Sequence, residues 1–336
     1  MISITKFAAA LTFAATTVAG AANAADHNLT FHSPFGEAGL NESVRVWMDE
    51  VEKRTDGRVG FNRVFGGALG KLSGQPTGLQ ARSFDVGQVS SVYNPGLYPR
   101  ATLGILPFLS DDVLEHNKIM HGLYTSADFQ QEFDALDQKF MFNGTWIWMQ
   151  MMAFDEVKTM EDLSKIKIRA HGGSADALTA AGITSYAIPF GELPAAAEKR
   201  VVEAVTMGGP SDMVDFGFGD IFPYWYEGLD WYYMPMSVVI NKDAWADLPE
   251  DIQQIIEELN AEMVDRSMEL MLAQQEAAAE TLTGELGVKS VTFSDTAKLV
   301  AAGEASWATW VDSMKDAGID GRALLDLYKS MADDQG

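Results

Sequence analysis

Residues Thr159–Pro210 read TMEDLSKIKIRAHGGSADALTAAGITSYAIPFGELPAAAEKRVVEAVTMGGP. Thr159, with Asp162 three residues on, has the form of a helix N-cap with an acid in the first turn. Ile166 and Ile168 alternate with Lys165 and Lys167, so a strand with one apolar face follows. Arg169 closes that strand before Gly172 and Gly173 release the backbone, and a helix, a strand, a helix and a third strand come after. Strands and helices in this order make an open α/β sheet, where the ligand crevice lies just outside the carboxyl ends of the strands. A guanidinium at that rim is a ready receptor for a carboxylate. Spacing alone leaves a plainer reading open, a surface cation paired with Glu161 or Asp162.

The segments DLSKIKIR, GIT.YAIPFGELPAAAEKRVVEAV and GGP resemble the core of the DctP-type solute receptors of tripartite ATP-independent periplasmic (TRAP) transporters. The region EKRTDGRVGFNRVFGGALG resembles the helix, strand and GG-LG turn that open the first domain of that family. The resemblance implies a two-lobe, periplasmic-binding-protein-like α/β fold with hinge strands and a long helix spanning both lobes. It also implies that Arg169 clasps the solute's carboxylate, and that a membrane permease takes the solute onward.

The chain has 336 residues, 47% hydrophobic and 21% charged, enough for two lobes with sizeable cores. Lys6, the apolar run Phe7–Gly20 and the exit Ala22-Asn23-Ala24 have the pattern of a secretory signal, placing the mature chain in the periplasm from residue 25. No later segment reaches ~20 apolar residues, so direct membrane insertion is not expected. There is no cysteine, which removes thiolate metal and redox chemistry. The formal charge of −24, or −25 once Lys6 is lost with the signal, disfavours nucleic acid and anionic lipid as partners. It does not disfavour a small anion, because screening over about 8 Å lets one local cation outweigh distant acids.

Asn28–Phe31 reads as a first strand with Phe35 in its exit loop, 40–55 as a helix, and Val59–Phe65 as a second strand. The glycine-rich Gly66–Lys71 is no phosphate loop, since Gly66 and Lys71 are one residue too close and Leu72 stands where Ser or Thr would be needed. Val86–Val92 is a third strand whose end carries Ser90, Ser91, Tyr93 and Asn94; the Asn-Pro-Gly turn accounts for Asn94 and leaves Tyr93 as a ligand candidate. Phe140–Met152 alternates Thr145, Ile147, Met149 and Met151 against Trp146, Trp148, Gln150 and Met152. One face of this lobe-crossing strand can line the cleft, and Trp148 and Met149 stand where relatives often carry a polar residue.

After the third strand of the opening stretch come Thr206, Met207, Gly208, Gly209 and Pro210, where the 2-oxo-acid branch of the family reads approximately EWVGP. The missing Glu and Trp argue against a bound cation and against that solute class. No metal and no cofactor are expected. The aromatics of FPYWYEGLDWYYMPM are too dense to be incidental, and Trp225 and Trp231 are taken as walls of the cleft. One long helix runs from Glu250 to about Gly284 on a stripe of Ile252, Ile255, Ile256, Leu259 and Met263, on the order of 50 Å long. The lobes expected are residues 25–147 with 237–290, and 148–236, with 291–336 forming closing helices.

Catalysis finds no support. The five histidines include no HExxH, His116 and His121 fall on different helix faces, and Gly172–Asp176 lacks the closing glycine of a nucleophile elbow. His171 alone is placed near the cleft, in a supporting role. The reading is a receptor, not an enzyme, for a small organic anion, a monocarboxylate with an aromatic or bulky apolar body. Arg169, Trp148, Met149, Met207, Gly208, Tyr93, Phe35, Trp225 and Trp231 are the candidate contacts. Two alternatives stand beside it: a receptor for a zwitterion or quaternary ammonium solute in an aromatic cage, and a periplasmic hydrolase or lyase.

Overall fold

The computed structural model describes residues 25–333; the signal-like stretch 1–24 lies outside them. Among the described residues eleven strands form two sheets. The first contains β1 (His27–His32), β2 (Val59–Val64), β3 (Val86–Val89), β4 (Gln138–Trp148) and β10 (Tyr233–Asn241), in the order β2-β1-β3-β10-β4. Its β1, β2 and β3 run parallel, and β10 lies antiparallel between β3 and β4. The second contains β5 (Gln150–Ala153), β6 (Ile168–Arg169), β7 (Ser185–Tyr186), β8 (Ala204–Met207), β9 (Tyr224–Tyr226) and β11 (Lys289–Ser290), in the order β11-β9-β5-β8-β6-β7. Here β6 runs parallel to both β7 and β8, while β5 is antiparallel to β8 and β9.

The chain passes between the sheets at two places that are tied together. β4 leaves the first sheet at Trp148, Met149 stands off the ladder, and β5 enters the second sheet at Gln150. On the return, Trp231 N donates to Met149 O (2.9 Å) and Met149 N donates to Tyr232 O (3.0 Å). Each crossing strand therefore satisfies the other's backbone where neither sheet can do so. Just beyond, Pro235 interrupts the donors of β10 at no cost to the β3 ladder, because β3 pairs only with Ser237–Ile240.

A third connection is the helix Glu250–Glu280, continued by a π turn at Thr281–Glu285. Ile252, Ile256, Leu259 and Met263 bury one stripe against the first sheet, and Asn260 Oδ1 accepts from the indole of Trp47 (2.9 Å). Farther along, Gln275 reaches the helix Pro210–Asp215 of the second lobe, and Leu282 enters that lobe's core. The helix Thr296–Met314 packs on Gly173–Ala180 of the second lobe while Trp307 and Trp310 donate to Pro107 O (2.9 Å) and Thr102 Oγ1 (2.8 Å).

The expected capping box at Thr159 is present, with Asp162 N donating to Thr159 Oγ1 (3.1 Å). Several strands are shorter than alternation implied: β3 stops at Val89, not Val92, and β6 is two residues, its alternating lysines lying before it. The second sheet also takes Lys289–Ser290, which the sequence reading set with the first lobe, because β9 offers a free parallel edge there. Tyr233–Met236, set with the second lobe, pairs with β4 in the first sheet.

Candidate functional site

The parallel pair β6 and β8 end side by side, Arg169 lying beside Val205, so their carboxyl ends open on one rim. Because β5 is antiparallel to β8, its start at Gln150, with Met149 just before it, shares that rim. Facing it are the ends of the first sheet: Phe35 after β1, Tyr93 beyond β3, Ile147 near the end of β4 and Met234 near the start of β10. The crevice rule for open α/β sheets is met twice, by two sheets edge to edge. Between them lies a cavity of about 30 Å³, room for about one or two waters, so the lobes stand closed over it.

Arg169 is 2% exposed. Its Nε donates to Ile188 O (3.1 Å) and its Nη1 to Thr206 O (2.7 Å), carbonyls that follow β7 and close β8. Among the described residues it forms no ion pair, while seventeen other pairs are satisfied elsewhere. Burial lowers its pKa from the ordinary guanidinium value, with Tyr232 and Tyr93 opposing, and the group stays charged. Leaving a buried cation without an anionic partner is costly. The arrangement holds two donors to the protein and presents the rest of the fork to the cavity.

Asp212, 4% exposed, lines the same cavity from the helix Pro210–Asp215. Burial, with a smaller contribution from Asp215, raises its carboxyl pKa to about 7. It sits over Gly208, where a side chain is impossible: an added Cβ would come 1.6 Å from Asp212 Oδ2. Tyr93 feels both groups, its pKa raised by burial, lowered by Arg169 and raised by Asp212. His171 lies beside it (ring centroids 6.2 Å apart) and shares a hydrogen bond between Nδ1 and the Tyr232 hydroxyl (2.8 Å). Burial first, and Arg169 second, bring its pKa to about 3, so the imidazole is neutral. Gly172 allows this contact, having φ +54° and standing where a Cβ would meet the Tyr232 hydroxyl at 2.8 Å.

Six expected contacts come together around this cavity: Arg169, Met149, Met207, Gly208, Tyr93 and Phe35. Three do not. Trp148 and Trp225 line a separate hollow of about 600 Å³ between the second lobe and the long helix, where Trp225 Nε1 donates to Gln150 Oε1 (2.8 Å). Adjacent strand residues point to opposite faces, so Met149 in the cavity puts Trp148 outside it. Trp231 is fully buried at the chain crossing, packed on Phe108. Residues the sequence reading passed over complete the walls: Leu40, Ile147, Phe190, Phe216 and Met234, with Asp212. Ile147 was available from its alternation with Met149, and Asp212 from its place two residues after the Gly-Gly-Pro turn.

The cavity suits noncovalent capture: one cation, one acid, a phenol and an apolar wall containing three flexible methionines, Met149, Met207 and Met234. Among the described residues no cluster of His, Cys, Asp and Glu could hold a metal ion, and no described helix is long and apolar enough to cross a membrane.

The family model for DctP, bacterial extracellular solute-binding protein family 7, matches residues 39–313. A monocarboxylate 2-oxoacid-binding periplasmic protein of Nostoc sp. is 25% identical over 224 residues, 64% of this chain and 60% of that protein's length. A Bordetella pertussis extracytoplasmic solute receptor binding pyroglutamic acid shares the fold with a TM-score of 0.76 at 23% identity, over 90% of this chain and 99% of that one. A marine metagenome TRAP solute-binding protein specific for aromatic acid ligands, in complex with metahydroxyphenylacetate, reaches a TM-score of 0.83 at 19% identity, over 92% and 99%. The family match embraces the second sheet, the first sheet from β2 onward, the crossings and the long helix, and the chain belongs to the DctP family, family 7 of the bacterial extracellular solute-binding proteins.

Proposed function

We propose that this protein is the periplasmic receptor of a TRAP transporter, that it captures a small organic acid through Arg169, and that the acid is a monocarboxylate with an aromatic or bulky apolar body. The observation that carries the reading is the buried Arg169 guanidinium, held by two carbonyls and unpaired with any acid among the described residues. A planar fork in that setting takes a carboxylate through parallel charge-assisted bonds and regains the favourable interaction it lost on burial. Phe35, Met149, Phe190, Met207 and Phe216 supply the apolar enclosure. The solutes named for the relatives, 2-oxo acids, pyroglutamate and metahydroxyphenylacetate, are all small acids.

On this reading the lobes part to admit the solute and close about the tied crossings at Met149 and Trp231, and the closed form is what the membrane permease receives. A pure cation fits poorly, since Arg169 repels it and Trp225 and Trp231 stand elsewhere. Thermal-shift screening of small carboxylates is the test. Strong stabilisation by aromatic or branched aliphatic monocarboxylates is expected, and stabilisation only by sugar acids or short 2-oxo acids would overturn the choice of solute.

A further inference from the structure

We infer that the solute carries, besides its carboxylate, a hydrogen-bond donor, an ammonium, lactam N–H or hydroxyl, and that Asp212 is the residue that accepts it; this rests on the carboxylate-capture reading above. Asp212 and Arg169 are both more than nine-tenths buried and line one cavity, yet they form no ion pair with each other. Among the described residues no side chain or backbone N–H donates to the Asp212 carboxyl, whereas Gln150 donates to the half-buried Asp230 at 2.5 Å. An acid whose only purpose was structural would be expected at the protein surface or against a donor.

The backbone goes out of its way to keep Asp212 where it is. Gly208 has no side chain where an added Cβ would stand 1.6 Å from Oδ2, and the helix bearing Asp212 is fixed from outside the cavity by the Ser211–Gln275 pair. Tyr93 stands within electrostatic reach of both ends, close enough to Arg169 and to Asp212 for each to move its titration. A solute that filled the space between guanidinium and carboxyl with only methylene or aryl groups would satisfy the first and leave the second buried without a partner. The penalty for that mismatch is what gives a site selectivity against analogues lacking the donor. Two larger hollows, lined by Trp148 and Trp225 and by Thr179 and Trp310, place no buried charge against a second group in this way.

The test is calorimetric titration of the full mature protein with matched acids differing only in the donor: 3-phenylpropanoate, 3-phenyllactate and phenylalanine, then 4-methylpentanoate, its 2-hydroxy form and leucine. At least one donor-bearing acid should bind about 10- to 100-fold tighter than its donor-free partner in the wild type, and Asp212→Leu, which removes the acceptor at similar bulk, should bring that ratio toward one. Ammonium acids should lose more than hydroxy acids, which separates the two donor types. Equal affinity within every set that binds, or a ratio unchanged by Asp212→Leu, overturns the inference while leaving carboxylate capture standing. Absence of binding by any acid in these sets and in the wider carboxylate screen, or full retention of acid affinity by Arg169→Ala, overturns the carboxylate reading itself. The wild-type comparison decides the matter even where a variant fails to fold.

Discussion

Arg169 Nη1 donates to the carbonyl oxygen of Thr206 at 2.7 Å, so the guanidinium is braced by the strand next to its own. The brace, with Nε on Ile188 O, fixes the plane of the fork before any solute arrives. Lysine keeps the charge but has no plane and cannot reach two carbonyls while presenting two parallel donors. Arg169→Lys should therefore cost the captured acid about 2–5 kcal/mol of binding, read by calorimetry. Affinity within a few-fold of wild type would mean that charge alone, and not the braced geometry, does the work.

Gly208→Ala is expected to injure the site and the fold together. The new methyl would stand 1.6 Å from Asp212 Oδ2 and 2.7 Å from its Cβ, too near for a rotamer change of the acid to relieve. The helix Pro210–Asp215 must move, at about 1–3 kcal/mol of stability. Urea unfolding of the variant measures the cost, and an unchanged midpoint would show that the helix yields freely.

Much of this was legible in the sequence because it depended on local patterns. Arg169 could be placed at a rim from the alternation Ile166, Ile168 and the Gly-Gly break, and the long helix from its stripe of Ile252, Ile256, Leu259 and Met263. What failed depended on which face of a strand meets the other lobe. Trp148 and Met149 were both nominated although neighbours on a strand cannot share a face, and Trp225 follows Trp148 to the far side through Gln150. Aromatic density marked the crossing of the chain, where Trp231 is core, and not the cavity. The Gly-Gly-Pro turn gives the place of Asp212, but what sets this acid apart is its burial, which no window of sequence displays.

Burial should make Asp212 visible in the pH dependence of stability. Its folded pKa of about 7 lies above the ordinary value of 3.8, so from about pH 4 to pH 7 the folded chain keeps a proton that the unfolded chain releases. Stability from this group is therefore fully present below pH 4, declines as pH rises toward 7 and is level above it, a total on the order of 4 kcal/mol. Asp212→Asn imitates the protonated carboxyl at every pH. Solute-free Asp212→Asn protein should gain on wild type progressively between pH 4.5 and pH 8 in urea titrations, the other carboxylates cancelling in the difference. A difference independent of pH would place the Asp212 carboxyl in an ordinary, solvated environment.

The long helix reaches the site through one side chain. Gln275 Oε1 accepts from Ser211 N (3.1 Å) and Gln275 Nε2 donates to Ser211 Oγ (2.7 Å), at the first turn of the helix that carries Asp212. Because the other end of the same helix is rooted on the first sheet, this pair couples the acid's position to the arrangement of the two lobes. Gln275→Leu keeps the bulk, removes both bonds and leaves a helix N–H without its partner, at about 1–3 kcal/mol. Amide exchange at residues 211–215 should accelerate by the corresponding factor, and affinity for the captured acid should fall with it, since closing the lobes no longer sets Asp212. Faster exchange with affinity unchanged would show that the helix Pro210–Asp215 holds its acid in place without the long helix.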